Sequence, residues 1–257
     1  MPYICKRDSN LNTILPDYTR HFGNFPPKIR DMKKKYLLPG LLAFPFLFIS
    51  CIGQVKNERH VAVQTQAETK VEPQDLQENE TAYFAAGCFW CVESIFESVK
   101  GVKEVYSGYS GGLEPDPTYE NVAYGKTTQA EAVEVYYDPS VISFLELVQV
   151  FFGSHDPTTL NRQGPDRGPH YRSIAFYKNE AEQKIINSYI QALSDNQVYD
   201  SPIVTQVVQF EKFYKAEAYH KDYERRNPNN SYVRNVSVPR FNRFAKNFPE
   251  YLKDNVH

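Results

Sequence analysis

Apolar residues between Thr81 and Phe210 fall into two rhythms, and each predicts a kind of element. The stretch TAYFAAG (81–87) is short, apolar and closed by glycine, the pattern of a buried strand. From Phe89 the rhythm changes: Val92, Ile95, Phe96 and Val99 recur as one face of a helix, and Gly101 is placed to end it. Cys88 therefore stands at a strand-to-helix junction. Val102–Tyr109 reads as a strand, SGGLEPDPTYENV as a loop, and Gln129–Tyr137 as an alternating strand that stops at Asp138-Pro139. Ser143 with Glu146 forms a capping box that opens the apolar helix Phe144–Phe152. The segment Gly153–Pro169 is a long polar loop, which function explains better than architecture does. Tyr171–Tyr177 is a strand. Asn179 and Glu182 open a helix that turns Ile185, Ile186, Tyr189, Ile190 and Leu193 inward. Ile203–Phe210 is a further strand, Ala216–Arg226 a short helix, and the rest an irregular tail. This order predicts an α+β fold, a ferredoxin-like two-layer α/β sandwich with a mixed sheet, in one catalytic domain over residues 81–257.

Upstream the pattern is different. From Met32 the chain reads MKKKYLLPGLLAFPFLFISC: lysines, an apolar run from Tyr36 to Ile49, then Ser50 and Cys51, the shape of a secretory signal. The run is too short for a comfortable membrane span. FISC resembles the lipobox of bacterial lipoproteins. Residues 32–51 are thus expected to be a signal peptide, with Cys51 lipidated and the protein anchored in a bacterial cell envelope, its domain in the periplasm or outside the cell. A signal normally begins a chain, so Met32 is the expected start; residues 1–31, with Cys5, are an upstream extension. Residues 52–80, rich in Gln, Glu, Lys and Val without a stable period, read as a flexible tether.

A length of 257 residues with 41% hydrophobic content suits one domain plus extensions, and a net charge of -2 gives no support for nucleic-acid binding. Nineteen tyrosines are enough for a ring-lined pocket. Four cysteines are too few for a disulfide scaffold. Attention falls on Cys88 and Cys91, which flank Phe89 and the sole tryptophan, Trp90. A helix N-terminus lowers a thiol pKa, which favours Cys88 as a nucleophile over Cys91. Both sulfurs share a helix face, so Cys91 can attack an oxidised Cys88. Zinc would need two more ligands, and His155, His170 and His220 include no close pair, so no metal is expected. A static disulfide across so few residues adds little stability. A redox or nucleophilic role is the favoured reading.

The motif GCFWCVE resembles the signature of peptide methionine sulfoxide reductase A, usually GCFWG. Further ordered motifs agree: YSGYSGG (106–112), PTYENV (117–122), AEAVEVYYDP (130–139), HDPTTLNRQGPDRGPHYRS (155–173) and AEAYHKDY (216–223). The resemblance implies reduction of the S epimer of methionine sulfoxide, in oxidised proteins and as the free amino acid, through a Cys88 sulfenic acid. It implies a thioredoxin-like reductant and no cofactor. It makes Phe89 and Trp90 the seat of the substrate methyl group, Tyr119 and Tyr171 hydroxyls for the sulfoxide oxygen, Asp166 a pocket acid and Glu131 the proton donor. On a strand, Glu131 shares a face with Val133, Val135 and Tyr137, and burial there would raise its pKa. His155 and His220 read as structural, and the chain is expected to act as a monomer. Two departures stand out. Thr128-Gln129 replaces the usual Gly-His, and Cys91 replaces a glycine in a chain with no later cysteine to resolve the sulfenic acid. Cys91 is then the internal candidate, and the competing route is direct attack on Cys88 by an external thiol with Cys91 a bystander. Two alternatives remain: a thioredoxin-like disulfide oxidoreductase using Cys88 and Cys91, and a surface lipoprotein that binds a ligand without chemistry.

Overall fold

Alternation in TAYFAAG sends Ala82, Phe84 and Ala86 to one side of a strand and Tyr83 and Ala85 to the other. In the computed structural model, which describes residues 76–254, the two sides meet different partners. The chain runs β1 (Glu80–Ala86), α1 (Phe89–Glu97), β2 (Val102–Ser110), α2 (Tyr119–Ala123), β3 (Ala130–Tyr137) and α3 (Phe144–Ser154). It continues through β4 (Arg162–Gln163), β5 (Asp166–Arg167), β6 (Ser173–Tyr177), α4 (Glu180–Asp195), β7 (Gln206–Gln209), β8 (Phe213–Lys215), α5 (Tyr223–Arg226) and α6 (Val238–Asn247).

Six strands form one sheet in the order β7-β6-β1-β3-β2-β8, with β6 and β7 parallel and the other pairs antiparallel. Stripped of its edge strands, the unit β1-α1-β2-β3-α3-β6 with sheet order β6-β1-β3-β2 is the expected ferredoxin-like layer. Phe84, Val133 and Val135 face α1 and α3 in a core closed by Ile186 and Leu193 of α4 and Phe244 of α6. The opposite face is small, built on Tyr83, Ala85, Ala130, Ala132, Ile174 and Phe176, with Phe210 stacked on Tyr83 at 3.7 Å.

Both predicted caps form: the Ser143–Glu146 box is reciprocal, and Asn179 accepts the Glu182 N–H at 3.0 Å. Other elements differ from the pattern. The domain starts before residue 81, because Leu76 is buried and turns back onto Asn79 at the entry to β1. Thr118 caps a short helix, α2, inside the stretch read as a loop. The polar segment 153–169 holds the hairpin β4–β5. Residues 216–226 are not one helix. A single turn over Ala218–His220 gives way at Asp222, whose φ of 53° interrupts the helical path before α5. That conformation is held from outside, since the Asp222 N–H bonds Glu93 Oε1 at 2.7 Å. Lys221 likewise reaches Glu97 at 2.6 Å and Glu104 at 2.8 Å.

The tail is not irregular. Residues Val233–Ser237 make a π-turn that leads into α6. Its inner face is Val233, Ser237, Arg240 and Phe244, all buried. A buried serine and arginine inside the stripe hide the helical period from a reading that counts both as solvent-facing. Residues 1–75, with Cys51, the signal and most of the tether, lie outside the described residues.

Candidate active site

At the end of β1 the chain must turn sharply into α1, and Gly87 does so at φ 83°. A Cβ there would sit 2.5 Å from Gln163 Cβ, so both the backbone angle and the space require glycine. Cys88 follows as the N-cap of α1, with no side-chain capping bond of its own. The first helical N–H, that of Phe89, is instead satisfied from the sheet: it donates to Glu131 Oε2 at 2.9 Å.

Strand alternation explains that meeting. Ala130 and Ala132 face the small core, so Glu131 points to the helix side, as Val133 and Val135 do. Glu131 is 2% exposed, and burial pushes its pKa up to about 8; Asp166 and Cys91 push the same way against the Phe89 N–H. A carboxylic acid, uncharged near neutral pH, thus sits one peptide from Cys88. Asp166, at the β4–β5 hairpin, accepts the Tyr232 hydroxyl at 2.5 Å, and burial raises its pKa. Tyr119 and Tyr171 each feel the charges of Glu131 and Cys88, and burial lifts Tyr119 to about 12 and Tyr171 higher. Both phenols therefore remain hydroxyl donors.

Rings wall the other side. Phe89 is buried, and the half-buried Trp90 stacks on Tyr223 at 3.8 Å, with Tyr232 edge-on at 6.1 Å. Trp90 Nε1 donates to His220 Nδ1 at 3.0 Å, and that ring also packs on Phe89 and Tyr119, at 4.9 and 4.6 Å. Glu217 ties the frame together by accepting the Tyr119 N–H at 2.9 Å and the Tyr109 hydroxyl at 3.0 Å. His220 is thus structural with a purpose: it aims the indole. Burial holds it neutral, with a pKa lowered to about 4. His155 bonds Phe151 O and Ser173 Oγ, both at 2.7 Å, which leaves it no chemical task.

Both cysteines are free and buried. Their acidities reverse the expectation from helix position. Burial raises Cys88, at 6% exposure, well above the ordinary thiol value, and the dipole of a three-turn helix does not offset that desolvation. Cys91 is lowered to about 6, chiefly by the Cys88 thiol donating to it, then by Arg240 and the Ser237 hydroxyl 3.1 Å away. Of the departures from the family pattern, Gln129 has a local use: its side chain accepts the Gly112 N–H at 3.1 Å and donates to Glu114 O at 2.8 Å, which closes the preceding loop. Glu217 lies within the motif AEAYHKDY, whereas Tyr232, Ser237 and Arg240 carry no local signal in the sequence.

A buried sulfur beside a neutral acid, in a ring-walled α+β domain, defines a thiol-based reductase. A family model described as peptide methionine sulfoxide reductase matches residues 80–252, and the chain belongs to that family. Peptide methionine sulfoxide reductase MsrA 1 of Rhodopirellula baltica is 46% identical over 183 residues, 71% of this chain and 94% of its own. MsrA of Polynucleobacter asymbioticus is 40% identical over 71% of this chain and 96% of its own. Among solved structures, Mxr1 from Saccharomyces cerevisiae in reduced form matches with a TM-score of 0.55 at 33% identity, covering 63% of this chain and 91% of that one. With relatives matched over nearly their whole length, the chain is a peptide-methionine (S)-S-oxide reductase.

Proposed function

We propose that Cys88 is the group that takes the sulfoxide oxygen and that Glu131 supplies the proton. Phe89 and Trp90 seat the substrate methyl group, and the Tyr119 and Tyr171 hydroxyls hold the sulfoxide oxygen. Asp166, fixed by Tyr232, closes the pocket. The Cys88 sulfur attacks while Glu131 protonates the oxygen; Glu131 regains the Cys88 thiol proton, and the products are a sulfenic acid on Cys88 and methionine. Cys91 then bonds to the Cys88 sulfur, the S–O bond breaks, and water leaves. A thioredoxin-like dithiol reduces the resulting disulfide. One observation carries the reading: the buried Glu131 carboxyl bonds the N–H of Phe89, the residue after Cys88, at 2.9 Å, where burial pushes its pKa up to about 8. The family match over residues 80–252, rather than Glu131 alone, speaks against the oxidoreductase alternative.

Assayed with each epimer separately and dithiothreitol as donor, the domain is expected to consume the S form alone. Without reductant, the wild type should release one methionine and lose both thiols, whereas Cys91→Ser should release methionine and stop at the sulfenic acid. Disulfide formation in that variant would remove Cys91 from the scheme.

We also propose that residues 32–51 direct export and that Cys51 carries a lipid, with the domain acting as a monomer at the bacterial envelope on protein-bound and free methionine sulfoxide. The apolar run ending in FISC supports this. In cells fed a labelled fatty acid, the wild-type chain should take up label and Cys51→Ser should not.

A further inference from the structure

Arg240 is 6% exposed, and its hydrogen bonds go to neutral carbonyls: Nε to Ser154 O at 2.8 Å and Nη2 to Ala86 O at 2.9 Å. Among the described residues no carboxylate pairs with it within 4.0 Å. A buried guanidinium without a counter-ion is costly, so the nearby anion matters. Its charge falls on Cys91, and also on the Asp166 and Glu224 carboxyls, both of which burial pushes toward the neutral form. The Cys91 sulfur also lies 3.1 Å from Ser237 Oγ, one helical turn before Arg240 on the same buried face. The π-turn Val233–Ser237 sets that face, as widened turns do at other functional sites. Tyr232, 4.0 Å from the sulfur, bonds Asp166 as well and is the weakest of the groups that lower Cys91.

We propose that Ser237 and Arg240 are positioning residues for recycling, holding Cys91 as an anion ready to attack the Cys88 sulfenic acid. This rests on the reading that Cys91 resolves. The largest influence lowering Cys91 is the Cys88 thiol, and that thiol disappears once Cys88 is oxidised. Arg240 and Ser237, ahead of Tyr232, are the largest of those that remain at the moment of attack. The other charged groups facing Cys91 do not cancel them. Glu131 and Glu224 are both lifted by burial to about 8 and are uncharged near neutral pH. In the step itself the Cys91 sulfur bonds to the Cys88 sulfur, and the S–O bond breaks. The departing hydroxide takes the Glu131 proton, which solvent replaces.

The test is a single turnover of the full chain with methionine sulfoxide and no reductant, following methionine release and thiol loss between about pH 5 and about 9. The wild type should form its disulfide with a midpoint below the ordinary thiol value of about 8.5. Ser237→Ala and Arg240→Gln should move that midpoint up by about one unit, slowing disulfide formation roughly tenfold at neutral pH and restoring it in alkali. Methionine release should slow less than disulfide formation in each. Arg240→Lys, which keeps the charge, should recover most of the rate. Ser237→Ala removes one atom and keeps the test open if Arg240→Gln fails to fold. An unmoved midpoint in Ser237→Ala overturns the proposal. Disulfide formation in Cys91→Ser would instead sink the recycling reading beneath it, so the two failures are distinct.

Discussion

Replacing Cys88 with serine is expected to cut methionine release by roughly 10³-fold or more while the domain stays folded. The two halves of that statement have separate causes. Serine is among the best N-cap residues, because its hydroxyl accepts one of the free N–H groups of the first turn. The native thiol makes no such bond at the start of α1. The substitution therefore adds a cap in a site only 6% exposed, and the melting temperature should hold or rise slightly. Chemically the loss is complete, since an alcohol cannot take oxygen from a sulfoxide to form a sulfenic acid. Cys91 does not substitute for it: its sulfur faces Ser237, on the C-terminal segment, while Glu131 serves the Phe89 peptide. Residual methionine release within tenfold of wild type, with Cys91 intact, would refute Cys88 as the oxygen acceptor. Dye-monitored melting of the same sample separates lost chemistry from lost structure.

What the sequence disclosed follows from where its signals are local. β1 and α1 are short-range patterns, so the junction at Cys88 was legible, and so was the face of Glu131, which depends only on alternation along β3. The Ser143 and Asn179 caps were legible for the same reason. The C-terminal segment was not. Its inner face is part polar because Ser237 and Arg240 turn toward Cys91 and the carbonyls of Ser154 and Ala86, partners far away in the chain. A stripe that buries charge for a distant purpose looks like a solvated tail. The broken helix at Asp222 was hidden likewise, since its left-handed angle is secured by Glu93. Thiol acidity was misjudged because helix position is local, whereas burial and Arg240 are tertiary.

That same tertiary origin bears on Cys91, the larger departure from the family pattern. On the proposed scheme Cys91, within α1, needs a way to ionise inside the protein. The C-terminal segment brings a hydroxyl and a guanidinium to it. In that scheme the C-terminal part of the fold serves recycling by field and hydrogen bond.

Glu131→Gln is expected to slow methionine release by about 10²- to 10⁴-fold, the usual worth of a positioned proton donor. Glutamine keeps an oxygen for the Phe89 N–H, so the start of α1 survives and the proton alone is lost. The pH dependence carries the sign. Wild-type release should fall as pH rises through about 8, where Glu131 ionises, and the variant should lack that descent. The variant's stability should move opposite to its activity. Glu131 binds its proton more tightly folded, at about 8, than at its ordinary value of 4.5. Between those values the folded state holds a proton that the unfolded state has released, so stability falls as pH rises across that window. Below the window both states are protonated and the penalty vanishes. Glutamine never ionises, so the variant should unfold at higher denaturant than wild type at neutral pH and at nearly the same denaturant below about pH 4. An acid kept neutral for catalysis is thus held at the expense of the fold. A variant less stable than wild type at neutral pH would show that the Glu131 carboxyl is ionised in place and cannot be the proton donor.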